Sequence, residues 1–123
     1  MVGKLTAVIT GGGSGIGEAT SKMMLEAGYE VISVGLHKPD WSHKKFTSVN
    51  CDLLDKEATA SLARQLSENH EITHFIHNAG MIRQKPLEDV KVEDLQDLTH
   101  LHAAAALIFT QALTPGMKDR RFG

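Results

Sequence analysis

Short apolar runs and longer amphipathic stretches alternate along the chain, and the alternation predicts its elements. Leu5 to Ile9 is an apolar run of strand length, broken at Thr10 by Gly11-Gly12-Gly13. Behind it, Ile16, Ala19, Met23 and Ala27 recur at helical spacing, and Gly28 is suited to end that helix. Tyr29 to Val34 predicts a second strand, left by a loop from Gly35 to Pro39, and the polar stretch Trp41 to Lys45 predicts no regular element. Phe46 to Cys51 reads as a short third strand ending at Asp52. Asp55 can cap a helix carrying Ala58, Leu62 and Leu66 on one face and finishing near Asn69. Ile72 to His77 predicts a fourth strand, closed by Asn78-Ala79-Gly80. A loop through Pro86 leads to the longest helix, from about Val92 to Leu113, stopped by Pro115 and Gly116.

Strands alternating with helices imply right-handed βαβ crossovers. The fold expected is therefore α/β: an open parallel sheet of order 3-2-1-4 with helices on both faces, an incomplete doubly wound Rossmann-type fold. In such a sheet a ligand sits at the carboxyl ends of the strands, where chain order reverses between strands one and four. The glycines after the first strand fall at that point. Gly11, Gly13, Gly15 and Gly17 let the turn take angles other residues resist, and a missing Cβ lets a phosphate approach the main chain. The first helical amides, from Ser14 through Ile16, would then point at that phosphate, with a dipole contribution of about 0.3–1 kcal/mol.

The 123 residues suit one domain, and net charge is nearly balanced at −2 with no block of like charges, which suggests neither nucleic acid nor an anionic membrane as partner. A lone cysteine, Cys51, excludes an internal disulfide and fits a reducing cytoplasm. No apolar run reaches membrane-span length, and Met1-Val2-Gly3-Lys4 leads directly into the first strand instead of a signal peptide. Seven histidines raise the question of a metal. His100 and His102 would point about 200° apart on a helix, His74 and His77 would fall on opposite faces of a strand, and no ligand set of the usual spacing appears, so no metal is expected.

The spacing Thr-Gly-x-x-x-Gly-x-Gly, met by Thr10, Gly11, Gly15 and Gly17, resembles the nucleotide loop of the short-chain dehydrogenase/reductase family; neither the common G-x-G-x-x-G fingerprint nor a P-loop fits. The likeness extends over essentially the whole chain. Asn78-Ala79-Gly80 matches the family's Asn-Ala-Gly after the fourth strand, beside the cofactor riboses. Asp52-Leu53 matches its Asp-hydrophobic pair, with the carboxylate accepting from the adenine amino group. The resemblance implies NAD(P) as cofactor and hydride transfer between it and a small carbonyl or alcohol substrate. Members that prefer NAD usually carry an acidic residue where this chain has Gly35. With Leu36, His37 and Lys38 following it, NADP is slightly favoured.

Two further departures bear on chemistry. His102 falls where the family usually has the asparagine of its catalytic tetrad, and His77 replaces the asparagine usually found before Asn78. The family's proton transfer relies on a serine and a Tyr-x-x-x-Lys pair, the lysine drawing the tyrosine pKa from about 10 toward neutrality. The only tyrosine here is Tyr29, whose i+4 partner is Ser33, and it would start the second strand, at the wrong end of the sheet. The catalytic pair is thus absent. The expectation is an NAD(P)-binding domain spanning 1–123, the amino-terminal half of such an enzyme, truncated before a fifth strand and inactive alone. The alternative is a catalytically inactive nucleotide-binding or interaction module complete at this length. An unpaired fourth strand bearing Phe75 and Ile76, and a long helix bearing Leu95, Leu98 and Leu101 that resembles the family's dimer-forming helix, predict self-association as a homo-oligomer.

Overall fold

The computed structural model describes residues 3–123, so Met1 and Val2 of the expected lead into the first strand lie outside the described residues. Four parallel strands form one sheet in the order β3-β2-β1-β4: β1 (Thr6–Thr10), β2 (Glu30–Gly35), β3 (Phe46–Asn50) and β4 (His74–His77). Helix α1 (Gly15–Glu26) follows β1, and α2 (Lys56–Asn69) follows β3. After β4 comes a loop with one 3-10 turn (Leu87–Asp89). Then α3 (Val92–Thr99) runs through a π-helical segment (His100–Ala104) into α4 (Ala105–Arg120). The expected order and the placement of helices on both faces are therefore observed.

Alternation along β1 explains the two layers. Ala7 and Ile9 face one side with Val31 and Leu25 of α1, while Val8 faces the other with Ile32, Val34, Leu66 of α2 and Phe109 of α4. Both faces of β1 are buried, as a parallel sheet between helices requires. Phe109 is wholly buried and stacks on Phe75 of β4, with ring centroids 5.2 Å apart. A phenyl side chain so placed contributes roughly 1.5–3 kcal/mol by burial. Asp55 caps α2 as expected, its Oδ1 accepting the Ala58 N–H at 3.0 Å.

The structure corrects four expectations. The stripe Ile16, Ala19, Met23 and Ala27 is the exposed face of α1; Gly17, Ser21 and Leu25 are buried instead. The close approach of the helix to the glycine loop decides this, because a Cβ on Gly17 would overlap the Gly11 carbonyl and the Asn78 side chain, and Ser21 Oγ donates to the Gly12 carbonyl at 2.9 Å. On α2 the buried residues are Thr59, Ala63 and Leu66, with Ala58 and Leu62 half-buried at the edge of that face. The strand before Asn78 is shorter than Ile72 to His77: Thr73 bonds to Thr6 through both its N–H, at 2.9 Å, and its hydroxyl, at 3.0 Å, but the paired strand begins at His74.

The fourth correction concerns the long helix, which Pro115 and Gly116 do not stop. It continues to Arg120 because its far end is held from outside: Leu113 is buried, and Arg120 donates to the Ile72 carbonyl at 2.6 Å. Arg121, at φ +57, ends it in the left-handed conformation. The Arg121 N–H returns to Lys118 O and the Phe122 N–H to Met117 O, both at 3.0 Å, forming a Schellman motif. No helix is long and apolar enough to cross a membrane among the described residues.

Candidate active site at the strand ends

A cleft of about 330 Å³ opens at the carboxyl ends of the strands. Each strand leads a short segment into its wall: Gly11 and Ser14 after β1; Gly35, Leu36 and His37 from β2; Cys51, Asp52, Leu53 and Leu54 after β3; and Asn78, Ala79, Gly80 and Met81 after β4. Leu101, from the π segment, closes the side.

The loop between β1 and α1 is built by its missing side chains. Gly11 and Gly15 stand at φ +69 and +53, and a Cβ on Gly15 would meet nothing within 4 Å, so that position is open to an approaching group. Ser14 is the N-cap of α1, yet its side chain makes no capping bond. Gly13 serves packing, since a Cβ there would collide with the His37 carbonyl. Across the cleft, Asn78 Nδ2 donates to the Gly11 carbonyl at 3.1 Å, and the Asn78 and Ala79 N–H groups donate to Thr10 Oγ1 at 3.0 and 3.1 Å. These bonds tie the two sides of the switch point together.

Asp52 accepts the Leu54 N–H on Oδ1 at 3.0 Å, which aims its carboxylate at the cleft rim. Burial pushes the neighbouring Cys51 thiol above its ordinary pKa; a bond to Thr59 opposes this, and the charges of Asp52 and Asp55 add to it. His102 is exposed, its ring lying against Gly80, with Nε2 at 2.9 Å from Met81 O and 3.3 Å from Met81 N. One nitrogen can serve only one of these at a time, donating to the carbonyl in one tautomer and accepting from the amide in the other.

Of the residues singled out in the sequence, Gly11, Ser14, Leu36, His37, Asp52, Leu53, Asn78, Ala79 and Gly80 come together around the cleft. Gly13 and Gly17 lie behind the wall as packing contacts, Gly15 and Ile16 sit at the exposed start of α1, and His102 stands behind Gly80 and Met81. Lys38 is exposed and lines a neighbouring groove with Trp41 and Phe46. Sequence reasoning passed over Cys51, Leu54 and Leu101 as wall residues. Cys51 was discoverable, since it directly precedes Asp52 at a strand end. Tyr29 packs edge-on against His74 at the opposite end of the sheet, beside Glu30, which is in register with Thr6. Among the described residues no three His, Cys, Asp or Glu side chains are grouped to hold a metal.

The model of the family described as short chain dehydrogenase matches residues 5–123, and the chain belongs to that family. Among its relatives is the 2-dehydro-3-deoxy-D-gluconate 5-dehydrogenase of Bacillus subtilis, 31% identical over 96% of this chain and 50% of the relative. The benzil reductase ((S)-benzoin forming) of the same organism is 31% identical over 87% of this chain and 46% of its own. A short chain dehydrogenase from Leptospira borgpetersenii with bound NAD+ shares the fold at a TM-score of 0.84 and 20% identity, covering 95% of this chain and 47% of that one. A putative NAD(P) dependent gluconate 5-dehydrogenase from Beutenbergia cavernae with bound NADP superposes at a TM-score of 0.83 and 25% identity, over 94% of this chain and 50% of that one. The chain spans about half the length of the relatives it matches.

Proposed function

We propose that the cleft binds the adenosine and pyrophosphate of NAD(P), and that the chain supplies the nucleotide-binding half of an oxidoreductase moving a hydride between nicotinamide and a small carbonyl or alcohol. The observation that carries this reading is the start of α1: an N-cap side chain that leaves the first amides free, beside a glycine with open space where a Cβ would stand, at the switch point of the sheet. The residues fit the cofactor. Gly11, Ser14 and Gly15 would receive the diphosphate, Asp52 the adenine amino group, and Ala79 and Gly80 the riboses. Bound there, the cofactor supplies the hydride chemistry. The chain's own residues bind and orient it, and His102 braces the Gly80–Met81 backbone at the cleft wall. No Tyr-x-x-x-Lys pair stands in this sequence, so proton transfer belongs to residues beyond these.

NADP is slightly favoured over NAD. The support is Gly35 at the end of β2, where no carboxylate stands to repel a 2′-phosphate, with His37 in the same wall. Lys38 contributes only by turning from its groove toward the cleft. A lone buried Cys51 fits a cytoplasmic protein, and the outer edge of β4, with the exposed part of the long helix, supports self-association.

Titration of the chain with NADPH and with NADH, read by the rate at which iodoacetamide alkylates Cys51, tests the site. Cys51 lines the cleft, so saturating cofactor should slow its alkylation at least about tenfold. No protection by either cofactor at millimolar concentration would remove the reading.

A further inference from the structure

His77 stands where the nucleotide loop meets the long helix, and its two ring nitrogens are committed to different elements. Nδ1 lies 2.9 Å from Thr10 Oγ1, and Nε2 lies 2.9 Å from the Leu101 carbonyl oxygen. The Thr10 hydroxyl already accepts the N–H groups of Asn78 and Ala79, which uses both of its lone pairs. Its single proton therefore goes to Nδ1. The imidazole proton is left on Nε2, which donates to Leu101.

That carbonyl needs the donor. In an α-helix the Ala105 N–H would reach Leu101 O, but here it reaches back five residues to His100 O. The π turn thus passes over Leu101 O, and Leu101 is buried. A buried carbonyl without a partner costs about 1–3 kcal/mol, and the His77 ring removes that penalty from a strand whose neighbour in the sheet carries the glycine loop.

We propose that His77 is a positioning residue that holds the π segment in place by supplying the hydrogen bond the π turn removes. Through it the nucleotide loop at Thr10 and Gly11 fixes where Leu101 enters the cleft wall and where His102 meets Gly80 and Met81. The functional meaning of this device rests on the dinucleotide reading, but its test requires no cofactor, so either can fail alone.

Long-range 1H–15N spectra of the intact chain read the tautomer. A proton on Nε2 of His77 with a bare Nδ1 is expected, and a proton on Nδ1 overturns the proposal. His77→Leu removes both bonds, whereas His77→Gln keeps an N–H of similar reach toward Leu101. In His77→Leu, amide exchange at His102 to Ala105 should accelerate about tenfold relative to Val8 and Ile32 in the core, the size of one hydrogen bond. The ring resonances of His102, which shares no hydrogen bond with His77, should shift as well. His77→Gln should restore both. Acceleration spread evenly over the chain, an unmoved His102 ring, or no rescue by Gln makes His77 a packing residue and overturns the proposal. Should His77→Leu not fold, the wild-type tautomer and the protection in His77→Gln decide alone.

Discussion

Gly35 and Cys51 meet at the ends of neighbouring strands, joined by the bond from the Cys51 N–H to the Gly35 carbonyl at 3.1 Å, and both face the cleft. A Cβ on Gly35 would stand 3.7 Å from the Gly11 nitrogen, an ordinary contact, so Gly35→Asp should fold. Its carboxylate would accept ribose hydroxyls and repel a 2′-phosphate, moving the NADPH-to-NADH affinity ratio at least about tenfold toward NADH. Titration with both cofactors checks this, and an unchanged ratio defeats it. Cys51 titrates above its usual range because its thiolate is poorly solvated. Its alkylation rate should keep rising with pH past the point where a free cysteine levels off; a plateau at the free-cysteine value would count against the burial argument. At this scale the sequence disclosed the glycine loop, Asp52 and Asn78, whose spacing is local. It did not disclose what Thr10 and His77 do, because their partners lie 67 and 24 positions away along the chain.

Among the elements, the loop after β4 is tied to α3 by a carboxylate that the helical pattern did not single out. Asp94, the third residue of α3, accepts Lys85 Nζ at 2.7 Å and the Lys91 N–H at 3.0 Å, while Arg83 reaches Asp97 at 3.3 Å. The Lys85 hydrogen bond, then that from the Lys91 backbone, holds the Asp94 pKa below its usual value, and the Arg83 charge adds to this. For a depressed carboxylate the contribution is complete above the unfolded value, about 3.9, and disappears as pH falls through the folded one. The Lys91 amide resonance should therefore titrate with a midpoint below 3.8; a midpoint at or above that value would show the tie is weak. At the other end, Arg121 holds a left-handed angle that glycine adopts freely. Arg121→Gly should stabilise the chain by about 1 kcal/mol, raising the melting temperature by a few degrees. A lower melting temperature would mean that the arginine side chain matters more than its backbone.

Helix existence and strand order were legible because burial on both faces of β1 leaves an apolar run that few other arrangements accommodate. The buried face of α1 was not, since apolar periodicity pointed to Ile16 and Met23, whereas close backbone contact selected glycine and serine. The π segment was equally hidden. Its residues, His100 to Ala104, contain no glycine or proline to mark a break, and the partner of the carbonyl that the π turn passes over comes from another element.

At the level of the whole molecule, β4 pairs with β1 alone, so its outer edge has no strand beside it among the described residues. Leu95 and Leu107 are 62% and 57% exposed on the long helix. Both features favour association between copies. Sedimentation of the chain should show a weight-average mass that rises with concentration, and a constant monomer mass across the range would refute it. The strand order was readable from right-handed crossovers together with the doubly wound pattern, in which chain order reverses at the glycine loop after β1.

The cleft wall draws on the ends of all four strands, which meet only once the sheet is complete. A nucleotide spanning Gly11, Gly35, Asp52 and Ala79 would act as a rivet through four separate lengths of backbone. At a hundredfold excess over its dissociation constant it would add about 2.7 kcal/mol to the folded state. Heat would then have to release the ligand and dismantle every strand in one step, so melting should sharpen as well as rise.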